Sequence, residues 1–390
     1  MRQRLDLDWL SLVMALRSVI DMMKRGAYLF TIAMLIFSVL MLAFIVDAHA
    51  DNQIVVGLDS WQVPDKQVRY MPNYNTANKW QSVSQFVTAK GEWTYGKAKF
   101  SASGKMDSIS GSSIDRLDID YAFGSYGVRA GIVPYRISWC RTYDADSPYI
   151  QEADAFCRSP VLNEISRGAA GVQAYKSWLE GDYLIDSMIG YYNPLIDNQD
   201  KSLGPYKAVG PTVESNKFGG SVNMMKLSTG TQVRLSYLHS TLKQNDTLSS
   251  GFQRHLEYDT LYIATESTWL ERLQIRASWA AYLGNQLNIR NPYEWTGTSA
   301  TIEGVYSVTP QDTIAVAASY YDNVTEYVTS KGKLQNLSVP SYTVAWRHRF
   351  DDGYFGILQL TQSTDDYTTL SQVNTYKEGV AFGLRLGKVF

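Results

Sequence analysis

The chain has 390 residues, a formal net charge of −2, 27 Tyr, 10 Trp and 28 Gly, with only 11 Pro and 2 Cys. Balanced charge without a basic tract removes the electrostatic footing for nucleic acid. No Gly-rich phosphate loop and no metal-spaced His or Cys set occurs, so no cofactor is expected.

The first fifty residues hold the run "AYLFTIAMLIFSVLMLAFIV", preceded by Lys24 and Arg25 and followed by small residues at Ala48 and Ala50. A basic segment, an apolar segment and small residues at a cut make a secretory signal over 1–50, with a true start at Met22 or Met23 giving an ordinary leader. The run also has the length to span a bilayer, so an uncleaved anchor is the alternative. One domain is expected over 51–390.

From there the chain alternates apolar with polar or small residues, the mark of strands with two unlike faces. Strands are predicted near 54–61, 82–90, 92–102, 114–122, 126–133, 168–178, 183–192, 216–227, 230–241, 257–267, 271–282, 297–307, 312–322, 341–350, 354–364 and 376–390. That makes about sixteen, each near the roughly 9–11 residues that a tilted strand needs to cross a bilayer. The segments near 183–192, 257–267 and 354–364 fit either phase. Tyr and Trp recur near segment ends, at Trp93, Tyr95, Trp178, Tyr191, Trp269, Tyr342 and Tyr354, where an aromatic girdle would lie.

The joins are short at "AKGE", "FGSYG", "LEGD", "LSTG", "STWLE", "TPQD" and "FDDG", and a longer polar segment separates each from the next. A sandwich has no reason to segregate its connections by length, and a propeller would repeat every 40–50 residues or so, which is not found. The reading is all-β: a transmembrane up-and-down antiparallel barrel with short periplasmic turns and long outer loops, embedded among outer-membrane lipids.

The longest connection, 134–167, carries Asp144, Asp146, Glu152 and Asp154 beside Arg141, and both cysteines, Cys140 and Cys157. In an exported chain such a pair is read as a disulfide. The bond would restrict the loop by about 3 kcal/mol on the chain-entropy model. An acidic surface loop stapled against proteases is the plainer alternative.

Catalysis has little support. Outside the leader the chain has His239, His255 and His348. His239 adjoins Ser240, but strand neighbours point to opposite faces and cannot form a simple dyad.

The chain ends "YKEGVAFGLRLGKVF", with Val380, Phe382, Leu384 and Leu386 on one face and a terminal Phe390. With the signal and the sixteen-strand pattern, this resembles the Gram-negative outer-membrane general porins. The resemblance implies that Phe382, Leu384, Leu386 and Phe390 are read by the barrel-insertion machinery. Lys388 departs from it, since an apolar residue is expected there. It implies a homotrimer, and a third outer loop folded inward, so that Arg141, Asp144, Asp146, Glu152 and Asp154 would narrow a pore.

Across such a pore the wall needs charge of opposite sign. Lys97, Lys99, Arg116, Arg129, Arg234, Arg272, Arg276, Arg347, Arg349 and Arg385 fall on lumen phases, as do Asp118, Asp120 and Glu303. A charge facing lipid costs about 2–4 kcal/mol at mid-membrane, so each basic residue has reason to face water whatever its role. The expected function is passive diffusion of small hydrophilic solutes. Alternatives are a channel specific for a sugar or organic acid, held by Tyr135, Trp139, Tyr143 or Tyr149, and a surface adhesin or phage receptor.

Overall fold

The computed structural model describes residues 53–62, 81–108, 111–134, 147–150, 155, 168–192, 212–245, 253–269, 271–287, 293–327, 333–369 and 374–390, to which every structural statement below refers. The expected signal segment 1–50, with Met22 and Met23, lies outside the described residues.

The first half of the chain supplies β1 (Gln53–Gln62), β2 (Gln81–Tyr95), β3 (Ala98–Asp107), β4 (Gly111–Phe123), β5 (Tyr126–Pro134), β6 (Gly168–Glu180), β7 (Tyr183–Tyr192) and β8 (Thr212–Lys226). The second supplies β9 (Gln232–Asn245), β10 (Gln253–Trp269), β11 (Leu273–Leu287), β12 (Tyr293–Ser307), β13 (Asp312–Tyr327), β14 (Lys333–Arg349), β15 (Tyr354–Thr369) and β16 (Asn374–Val389). Each strand pairs antiparallel with its neighbours in sequence, and β16 returns to β1, so the sheet closes. Closure leaves no strand edge with unpaired backbone groups, which a sheet in hydrocarbon requires.

Side-chain period fixes the faces. On β16 Val380, Phe382 and Leu386 are exposed on the outer face, while Ala381, Gly383 and Arg385 are buried on the inner one. On β11 Trp279 points outward and Arg276, Ser278 and Ala280 inward. The three ambiguous segments now have phases. Met188 and Tyr192 of β7, Tyr258 and Tyr262 of β10, and Phe355 and Ile357 of β15 all lie inside.

Two expectations are corrected. "AKGE" is no turn, because Ala89 to Glu92 pair with Gly104 to Ser101 inside β2 and β3. The chain reverses instead at Gly96, whose φ of +60° is the left-handed conformation that glycine adopts without steric cost. The strands also run longer than the roughly 9–11 residues needed to cross a bilayer, reaching 17 in β10 and β14. They extend at the ends away from the short turns. Between the described strands, the connections longer than seven residues fall at 63–80, 135–167 and 193–211, while β3 and β4 are joined through 108–110.

Aromatic side chains crowd the outer rim at the short-turn end, where Tyr95, Trp269, Phe350, Tyr354 and Phe390 are all exposed. Lys388 belongs to this rim. Its Nζ lies 4.4 Å from the Tyr354 ring centroid and 5.0 Å from that of Phe390, so the ammonium is held by ring faces while its stem covers apolar surface.

Candidate functional site

The inner wall carries the chemistry. Residues directly opposite each other on paired strands share a face, so a charge on one strand is neutralised from the next. On β2 to β6, Lys99 Nζ meets Glu92 at 2.6 Å and Arg116 meets both Glu92, at 3.2 Å, and Asp118. Arg129 reaches Asp118 at 3.3 Å, pairs with Asp120, and donates to Gln173 at 3.2 Å. Tyr175 donates its hydroxyl to Asp120, and Gln173 donates to the Tyr192 hydroxyl. On the far side Arg276 stands opposite both Glu266 and Glu303, and bonds Glu303 at 2.8 Å with both side chains only 3% exposed.

The remaining predicted wall residues divide by height. Arg234 sits in the field of Asp186 and Glu266, and Arg347 donates to Thr313 at 3.4 Å. Lys97 and Arg272 fall in turns, and Arg349 is the last residue of β14, exposed at the rim. These three stand off the wall. Their strands end sooner at that edge than the predicted boundaries placed them.

Residues 147–150 and 155, which lie between β5 and β6 in sequence, contact the opposite wall. The Ser147 hydroxyl turns the chain by donating to the Tyr149 carbonyl and accepting from its N–H. Tyr149 then packs on Ala315 and Ala317 of β13 and Ala345 of β14. The Ile150 N–H donates to Gln359 of β15 at 2.8 Å, and its carbonyl accepts from Arg385 of β16 at 3.3 Å. The Ala155 N–H donates to Thr301 of β12 at 2.9 Å. These walls lie five or more strands around the ring from β5 and β6. Only small side chains at 315, 317 and 345 leave room for the tyrosine, and this is the signal that sequence reading passed over.

Ile150 lands on an apolar arc formed by Val55, Trp61, Phe86, Phe355, Ile357 and Ala381. Burying it is worth about 1.5–3 kcal/mol. Trp61 lies flat because residue 383 is glycine, where a Cβ would stand 2.6 Å from the indole. Arg385, expected on the pore wall, is engaged on three sides. It forks onto Asp59 at 2.6 and 2.7 Å, holds Ile150, and lies 4.7 Å from the Phe86 ring centroid. The expected loop residues Arg141, Asp144, Asp146, Glu152 and Asp154, and the cysteines Cys140 and Cys157, lie outside the described residues, as do Tyr135, Trp139 and Tyr143.

His239 and His348 stand on the outside. His239 bonds Asp259 at 2.9 Å on the outer face while Ser240 is fully buried on the inner, so the two cannot act together. His348 bonds Asp312 at 2.8 Å beside Trp346 at the rim.

No family model matches the sequence, and no curated protein does. Solved structures do. The trimer form of Vibrio cholerae OmpT superposes with a TM-score of 0.57 at 11% identity, over 88% of this chain and 100% of that one. An anion-selective porin from Comamonas acidovorans gives 0.56 at 10% identity, over 87% and 99%. Salmonella typhi OmpF gives 0.51 at 11% identity, over 87% and 97%. At such identities the likeness is one of fold, and in fold this chain is a sixteen-stranded closed antiparallel barrel of the outer-membrane porin kind.

Proposed function

We propose that the chain forms an outer-membrane channel for passive diffusion of small hydrophilic solutes. The observation that carries this reading is the closed barrel of sixteen strands with an apolar outer face and a polar inner one. A barrel of this size leaves an aqueous lumen, and the segment around Ile150 narrows it from within. No cofactor takes part. The chain reaches the membrane through its signal segment, with Phe382, Leu384, Leu386 and Phe390 presented to the insertion machinery, and assembles as a homotrimer, as the trimer form of the Vibrio protein supports.

Charge selectivity is weak. Lys99, Arg116, Arg129, Arg276 and Arg385 each rest on a carboxylate of the same wall, so their fields cancel within a few ångströms. Any preference that remains comes from Arg141, Asp144, Asp146, Glu152 and Asp154 of the inward loop. Single-channel recording in a planar bilayer tests both statements. Large ohmic steps with a reversal potential near zero in a salt gradient are expected, and an electrically silent protein would overturn the channel.

A second reading is favoured by tyrosines. Tyr258, Tyr262, Tyr282 and Tyr321 line one stretch of inner wall, with Tyr282 stacked on Tyr321 at 5.9 Å. All four are at most 4% exposed, so a sugar or a planar organic acid would meet their faces only after the groups that cover them move aside. Saturable block of the current by one solute is its signature, whereas silence would favour an adhesin or receptor.

A further inference from the structure

The β1–β16 seam is where the first and last strands meet, so it is the pairing with the greatest separation in sequence. Its inner face is short and highly specific. Gly57 stands opposite Gly387, Asp59 opposite Arg385 and Trp61 opposite Gly383. A slip by one residue would turn Val56 and Leu58 inward. A slip by two preserves the faces but sets Asp59 against Gly383 or Gly387, Arg385 against Gly57 or Trp61, and Trp61 against Ala381 or Arg385. Both the ion pair and the glycine beneath the indole are then lost. Only one register satisfies all three positions.

The same guanidinium holds the inward segment. With Nε and Nη2 committed to Asp59, Nη2 also reaches the Ile150 carbonyl, and the apolar arc that receives Ile150 is built from both sides of the seam: Val55, Trp61 and Phe86 from β1 and β2, Phe355, Ile357 and Ala381 from β15 and β16. Before closure neither the arc nor the oriented guanidinium exists. We propose that the Asp59–Arg385 pair is a register key that makes seating of the inward segment conditional on closure of the barrel, with Arg385 as the positioning residue for both. A pore then receives its constriction only when its wall is correctly zipped. The inference does not depend on what passes through.

The test uses the full chain refolded in detergent, with two readouts. Closure is read from the gel mobility of unheated samples, and seating from hydrogen exchange at the amides of Ser147, Tyr149 and Ile150. Gln359→Ala should close normally yet exchange at Ile150 at least tenfold faster. Asp59→Asn and Arg385→Gln should close incompletely and lose protection in proportion. The decisive variant is the exchange Asp59→Arg with Arg385→Asp. It restores the cross-strand pair, so closure should return to normal, but an aspartate at 385 cannot donate to the Ile150 carbonyl, so exchange should stay at least tenfold fast. A swap that fails to close, a swap that restores protection, or single variants indistinguishable from the parent in both readouts would each overturn the proposal.

Discussion

Two arcs of the same inner wall solve the same packing problem in opposite ways. On β2 to β6 the wall is ionic, with Glu92, Asp118 and Asp120 set among Lys99, Arg116 and Arg129. Across β15, β16, β1 and β2 it is mostly apolar, interrupted by one forked pair, Asp59 with Arg385. The difference follows from what lies on each. An arc that receives Ile150 gains by being apolar, and one that receives no such side chain must satisfy its own charges.

The sharpest way to break the comparison is in the ionic arc. Arg129→Met leaves Asp118 and Asp120 buried with their central cation removed, and should destabilise the barrel by about 3–5 kcal/mol in denaturant titration of refolded protein. An unchanged midpoint would show that water, not arginine, satisfies those carboxylates. In the apolar arc Ile150→Ala should cost about 2–4 kcal/mol of local stability, read as faster exchange at the amides of 147, 149 and 150 with little change in global unfolding. Equal loss in both measures would make the inward segment part of the barrel's own core. The smallest effect is expected at Gly383→Ala, where the new methyl group must push Trp61 off the wall, costing about 1–3 kcal/mol and quenching or shifting tryptophan emission. A spectrum identical to the parent would mean that the indole has room to spare.

The same two arcs explain what could be read in advance. In β16 the outer Val380, Phe382 and Leu386 contrast with inner Ala381, Gly383 and Arg385, so its phase was plain from the text. In β15 inner Phe355 and Ile357 are as apolar as outer Leu360, because the inner face there receives Ile150, and no local pattern distinguishes a lipid contact from a loop contact. In β10 the ambiguity arises from inner Tyr258 and Tyr262 facing outer Leu261 and Ile263. The turn misplaced at "AKGE" has a like cause. Lys90, Gly91 and Glu92 carry turn composition, yet their pairing with β3 outweighs it, and the reversal waits for Gly96.

The residue text by itself determined the closed sheet and its two faces, since an apolar outer face and a more polar inner one impose a period of two on each strand, and that period is visible without coordinates. Tertiary structure decided which wall charges are spent on one another and where the β5–β6 segment lands. Those depend on residues hundreds of positions apart meeting across the ring, as Ile150 meets Gln359 and Arg385, and Arg385 meets Asp59. Local sequence carries the solvent on each side of a strand, whereas only the closed fold sets the partner across the lumen.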